Sequence, residues 1–263
     1  MSKHCDFILT PIEGILQEVP IVLKNVEIGF DTYGLYEYVM QSVFLKMTGF
    51  QEQKMKCICW ELATDDYEYR YERYKRDSLG ECSNLDEKNT VWNDLSKHVE
   101  ELDSKEKELS DEEKTQIIAD TKLAIETFYT ESRMEGWAQK EYFDYKNLIK
   151  FCAKDCLCFK SKKRELFYHC DNCNRKREPE AKGSLCQFGT LAEAYKKLFI
   201  HRNRCAHNTL SYQHNLPSLD TMNNKKYIFE NYFLHFALLI MIDKMIICLF
   251  QKYQEKNNTD FML

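Results

Sequence analysis

An all-α bundle of five or six main helices is the fold class this sequence predicts, on three observations. Glycine and proline are scarce, with 8 and 4 in 263 residues, which disfavours a loop-rich β architecture. Apolar residues recur at helical spacing over most of the chain. A last segment, from about Asn224 to Gln254, is apolar on more than one face between Phe233 and Phe250. Such a helix needs cover on several sides, which the centre of a bundle or a dimer seam supplies.

Taken in order, residues 1–30 hold Pro11, Gly14, Pro20 and Gly29 among apolar residues. They read as an irregular arm with a short helix near Ile12 to Leu16, packed on a main domain spanning residues 31–263. From Asp31 the pattern turns helical, with Leu35, Tyr38, Val39, Ser42, Val43 and Met47 on one face up to Gly49. A second helix is expected from Gln51 to Arg76, burying Met55, Cys59, Leu62 and Ala63. Its tail places Tyr67, Tyr71 and Tyr74 on one edge. Helix is preferred to strand there, and such a stripe more often serves packing than the stacking of single-stranded RNA.

Asp77 to Asn93 reads as loop with a short helix. Residues 99–113 form an acidic connection, and an anionic stretch repels phosphate. Ser110-Asp111-Glu112-Glu113 resembles a capping box. It opens a helix to about Thr130 that buries Ile117, Ile118, Thr121, Ala124, Ile125 and Phe128. A further helix follows from Met134 to Cys152, with Trp137, Tyr142, Tyr145, Leu148 and Ile149 inward.

Hydrophobic content of 44% with 30% charged residues fits a globular protein rather than a disordered one. The net charge of −5 gives no global attraction to nucleic acid, so any RNA contact needs a local patch. The apolar run at the start ends at Thr10 and Pro11, too early for a signal peptide. Asp243 and Lys244 interrupt the apolar run from Tyr232 to Phe250, so a core helix is expected there and not a membrane span. The expected location is the cytoplasm, where the 12 cysteines are reduced thiols or metal ligands.

Six cysteines fall in an insert at residues 152–187. Cys156 and Cys158 with Cys170 and Cys173 can be drawn as a structural four-thiolate zinc site. Only the second pair has the common two-residue spacer. Cys152 with Cys156 is an alternative first pair, and Cys186 can replace either member. Semi-buried free thiols are the competing reading. Lys160, Lys162, Lys163, Arg164, Arg175, Lys176 and Arg177 make the same insert the best candidate contact for an RNA backbone, with ordinary surface lysines as the alternative.

Gly189 to Asn208 carries the strongest functional signal. Thr190 and Glu193 have capping-box spacing, and Leu191, Ala194, Tyr195, Leu198 and Phe199 form an apolar stripe. The last turns crowd His201, Arg202, Asn203, Arg204 and His207 together, and Arg202 to His207 reads R-N-x-x-x-H. A forked cation suits a phosphate and its developing charge, and a group of near-neutral pKa suits proton transfer. Arg202 and His207 lie ~140° apart around one helix axis, so a second copy across a two-fold axis brings them together more readily. Arg204 adds a further basic contact. Complementing the helix dipole is the plain alternative for all of these charges.

This hexapeptide on a helix end, followed by a long apolar helix, resembles the HEPN family. The resemblance covers about Phe30 to Lys256, although only the part from Gly189 onward carries specific residues. It implies an all-α, HEPN-like homodimer that cleaves RNA without a required metal, leaving a 2′,3′-cyclic phosphate, in antiviral defence, abortive infection or toxin systems. Arg202 and His207 take the catalytic roles by that resemblance, and Asn203 supports them. An antitoxin or other defence partner is implied as well. Thr209 stands where members paired with a nucleotidyltransferase antitoxin usually have Tyr, which argues against that form of control. A non-catalytic binding module and a zinc-stabilised nucleic-acid-binding protein are the alternatives. Asp243 is considered as a buried partner for Arg202, with a pair to Lys244 or a solvent position preferred.

Overall fold

The computed structural model describes residues 3–76, 82–102, 109–148, 166, 191–207 and 230–260. The described residues contain no strand, and the fold is all-α. Helices α1 (Lys3–Leu9), α2 (Gly14–Gln17) and α3 (Val19–Leu23) form the N-terminal arm. A 3₁₀ turn at Phe30–Thr32 leads into α4 (Tyr33–Asp65), followed by α5 (Tyr67–Arg76) and α6 (Leu85–Leu102). Then come α7 (Asp111–Glu131), α8 (Glu135–Leu148), α9 (Leu191–His207) and α10 (Tyr232–Asp260).

Helix α10 is the axis of the bundle. Every residue from Asn231 to Asp243 is buried, and the helix meets α1, α4, α6, α7, α8 and α9. Neighbouring helices of the same chain therefore cover the all-round apolar surface. By length and composition α10 could cross a membrane, yet 83% of its most apolar window is buried in the bundle. Asn231 caps it, accepting from the Leu234 N–H at 3.1 Å while its own amide donates to the Glu141 carbonyl at 2.7 Å. One side chain thereby starts α10 and fastens it to α8.

The expected break at Gly49 is absent, and α4 runs on through it. Gly49 lies on the outside, with nothing within 4 Å of where a Cβ would be. Its helix penalty of ~1 kcal/mol is outweighed by burial of Phe44, Met47, Met55 and Ile58 on either side. The chain breaks at Asp66 instead, which is extended at φ −122° and ψ 110°. The Asp66 carboxylate accepts from the Tyr69 N–H at 3.0 Å and caps α5. The buried stripe of the first half is Tyr36, Met40, Val43, Phe44 and Met47. Leu35 and Tyr38, expected inside, are exposed. In the second half Met55, Cys59, Leu62 and Ala63 are buried as predicted.

Two further expectations change. Tyr67 and Tyr71 of α5 are 77% and 54% exposed, while Arg73 is buried and Tyr69 packs on the core. The inward edge is thus one step round from the predicted tyrosine stripe. Residues read as loop before Asn93 belong partly to α6, which buries Val91, Trp92, Leu95 and Val99. Asn84 and Glu87 cap it reciprocally: Asn84 Oδ1 accepts from the Glu87 N–H at 2.9 Å, and Glu87 accepts from the Asn84 N–H at 3.1 Å. The Ser110–Glu113 capping box of α7 is present, at 3.1 and 2.6 Å.

The arm is more regular than predicted, and it packs on the body. A buried ion pair holds it: Lys54 Nζ lies 2.5 Å from Asp243 and 2.7 Å from the Thr10 carbonyl. The other Asp243 oxygen accepts from the Ile12 N–H at 2.9 Å. Asp243 is therefore the partner of Lys54 and of neither Arg202 nor Lys244, which pairs with Glu13 at 2.9 Å.

Candidate functional site

Helix α9 is set in place by its buried stripe of Leu191, Ala194, Tyr195, Leu198 and His201, against α4, α6 and α10. His201 works as an anchor. Its Nε2 lies 3.2 Å from the Tyr232 hydroxyl and 3.5 Å from Cys205 Sγ, among the rings of Phe44, Tyr232 and His235. Burial, with the Arg204 charge adding to it, pushes its pKa down to about 4. The imidazole is thus neutral at pH 7 and suited to packing, which separates it from its neighbour Arg202.

Arg202 sits one position round the helix, its side chain 25% exposed. Its guanidinium is held at two ends. Nη1 donates to Asn203 Oδ1 at 3.1 Å, and Nη2 donates to Glu52 Oε2 on α4 at 3.4 Å. Glu52 also pairs with Lys56 at 3.1 Å. Two sides of the planar fork are occupied by protein, which fixes its plane while part of it faces solvent. Asn203 thus has a physical role beside Arg202 that the spacing alone did not define.

Behind Arg202 lies a second cation. Lys88 of α6 is buried and donates to the Cys82 carbonyl at 2.6 Å. Burial lowers its pKa to about 8; Arg202 adds to the fall, while Cys82, Glu52 and Glu87 oppose it. Tyr195, also buried, donates to the adjacent Ser83 carbonyl at 3.3 Å. The same short segment, Cys82 to Asn84, therefore caps α6 and supports both Lys88 and the motif helix.

Arg204 is 43% exposed and pairs with Glu230 at 3.6 Å, so its charge is shared with a carboxylate. His207 is the last residue of α9, and its side chain lies outside the described residues. Cys156, Cys158, Cys170 and Cys173 lie outside them too, as do Lys160, Lys162, Lys163, Arg164, Arg175, Lys176, Arg177 and the cap residue Thr190. Within the insert Leu166 is described: it is buried, and its N–H donates to Asn89 Oδ1 on α6 at 2.9 Å. Among the described residues no group of His, Cys, Asp and Glu could hold a metal ion.

Glu52, Lys88 and Tyr195 were not singled out as site residues from sequence. Glu52 and Arg202 stand 150 positions apart, and no local pattern announces such a pair. No protein-family model matches this chain, and no curated protein or solved structure matches it either.

Proposed function

We propose that the chain is a nuclease whose reactive groups stand at the end of α9. More specifically, it is an endoribonuclease of the HEPN type, acting as a homodimer in which Arg202 of one copy and His207 of the other share a phosphodiester. The observation that carries this reading is the two-point hold on Arg202. A guanidinium oriented by Glu52 and Asn203 and still reachable from solvent is pre-organised to bind a phosphate.

The reaction follows from the groups. Arg202 neutralises charge as a 2′-hydroxyl attacks the adjacent phosphorus. His207 moves a proton at the hydroxyl or at the leaving oxygen, and the product is a 2′,3′-cyclic phosphate. No metal is required on this reading. RNA from an invader or from the host is the substrate class, in a cytoplasmic defence or toxin setting, with a restraining protein as an accompanying partner. Any zinc held by the insert would be structural.

Cleavage of a labelled single-stranded RNA in chelator tests the proposal. Arg202→Ala and His207→Ala each reduce the rate by ~10²–10³-fold, as expected when a charge-stabilising or proton-transfer group is removed. Lys46→Ala, at an exposed lysine paired with Glu18, stays near wild type, and circular dichroism checks that each variant folds. Equal cleavage by wild type and both variants refutes the reading. The Glu52 ion pair also fits a second reading, in which Arg202 ties α9 to α4 in a non-catalytic RNA- or protein-binding module. That reading is favoured by the absence of cleavage together with loss of stability in Arg202→Ala.

A further inference from the structure

Helix α5 turns two of its tyrosines outward, and its packing fixes them there. Asp66 caps the helix by accepting from the Tyr69 N–H at 3.0 Å. The Tyr69 hydroxyl donates to Asp94 of α6 at 3.0 Å, and buried Arg73 lies 3.9 Å from the same carboxylate. Tyr69 also stands edge-on to the His98 ring, with centroids 5.0 Å apart. Tyr69 and Arg73, one turn apart, thus define the inner edge of α5 and tie it to α6. The opposite edge is left to solvent on a helix that is firmly held.

That outer edge carries Tyr67 and Tyr71, both more than half exposed. Neither ring gains the burial that a tyrosine usually supplies to a core. Arg70 and Lys75 flank them. At ~100° per residue the two cations stand ~140° apart, and the arc between them holds both tyrosines and no carboxylate. Arg70 is exposed, with no ion-pair partner among the described residues. Lys75 Nζ lies 4.1 Å from the centroid of the Tyr71 ring. It is also 3.7 Å from Glu72, which falls outside the arc, as Glu68 does. A pair that exposed contributes little and yields readily to a phosphate. In a chain of net charge −5, two cations bracketing two open rings form a local site for an anion with aromatic bases.

We propose that the outer face of α5 binds single-stranded RNA, with one base stacked on each of Tyr67 and Tyr71 and phosphates meeting Arg70 and Lys75. The two tyrosines are one turn apart, ~6 Å along the helix axis. Bases in a duplex strand are ~3.4 Å apart, so a duplex does not set neighbouring bases on both rings. A single strand, whose bases can be splayed, does. Stacking of this kind is indifferent to base identity, because every base has a π-face. The choice of RNA among polyanions rests on the nuclease reading. The face supplies affinity and holds no reacting group.

Fluorescence anisotropy tests this in the full chain, with a short labelled oligouridine whose 2′-O-methyl sugars prevent cleavage. Tyr67→Ala and Tyr71→Ala each weaken binding about tenfold, the loss of one stacked base. Tyr67→Phe and Tyr71→Phe, which keep the rings, bind as wild type does. Arg70→Ala and Lys75→Ala each lower the slope of log affinity against log salt by about 0.7. The duplex of the same strand with its complement binds more weakly than the single strand. No binding by wild type overturns the proposal, and so does unchanged binding when both tyrosines are Ala, or equal affinity for the duplex. A protein-docking face, seen as self-association lost in the double variant with RNA affinity unchanged, overturns it as well. Cleavage separates the two readings. Equal KM for RNA in wild type and the double variant defeats the α5 site alone, and RNA bound through α5 but never cut defeats the nuclease reading alone.

Discussion

Replacing Glu141 by Gln is expected to stabilise the protein at neutral pH. Glu141 lies inside α8 at 3% exposure, and neither carboxylate oxygen has a hydrogen-bond partner among the described residues. Burial pushes its pKa up from 4.5 to about 8, and the charges of Asp144 and Glu37 push the same way. The folded protein therefore holds a proton that the unfolded chain releases above pH ~4.5. Stability from this group is complete below that pH and is lost as pH rises towards about 8.

At pH 7 the two forms are separated by ~2.5 pH units at ~1.4 kcal/mol each, or about 3 kcal/mol. Glutamine has nearly the same shape and no proton to hold. Its advantage appears as a melting temperature higher by about 6–12 °C, at ~2–4 °C per kcal/mol for a domain of this size. Thermal unfolding of both proteins at pH 7 and at pH 4 makes the comparison. The gain should vanish at pH 4, where the unfolded chain is also protonated. Equal melting temperatures at pH 7, or the same offset at both pH values, would refute the reasoning.

Other perturbations have defined outcomes. Lys54→Met strands the Asp243 carboxylate, 1% exposed, and should cost about 3–5 kcal/mol; adding Asp243→Asn, whose oxygen still accepts from the Ile12 N–H, should recover all but ~2 kcal/mol in urea unfolding. Arg133, at φ 54°, is the left-handed residue after α7, where its N–H donates to the Thr130 carbonyl and that of Met134 donates to Tyr129. Arg133→Gly keeps both bonds without the Cβ strain and should gain ~0.5–1 kcal/mol by denaturant titration. Glu52→Gln frees one end of Arg202; on the nuclease reading, kcat for RNA should fall by up to ~100-fold while the protein remains folded.

How much was legible from sequence divides along local and non-local physics. Helices announced themselves through period and caps: Ser110 with Glu113, the stripe of α9, and the long apolar run of α10 are properties of neighbours within a few residues. The end of α4 could not be read, because Gly49 weakens a helix locally and only packing on both sides shows that the weakness is tolerated. The extent of α6 was missed, with only a short helix read in a loop although Asn84-x-x-Glu87 stands at its start, since the polar residues between its apolar positions obscured the period. The stripe on α5 was placed one step off for a related reason. Helical spacing identifies which residues share an edge, and the neighbour decides which edge is covered.

Residue types alone determined the all-α class, a last helix that needs cover on several sides, and the basic end of α9 on which the functional reading rests. Tertiary structure alone decided that Asp243 answers Lys54 and that Glu52 holds Arg202. Pairs such as these are set by where distant helices cross, and side-chain periodicity along one helix holds no information about the distance to another.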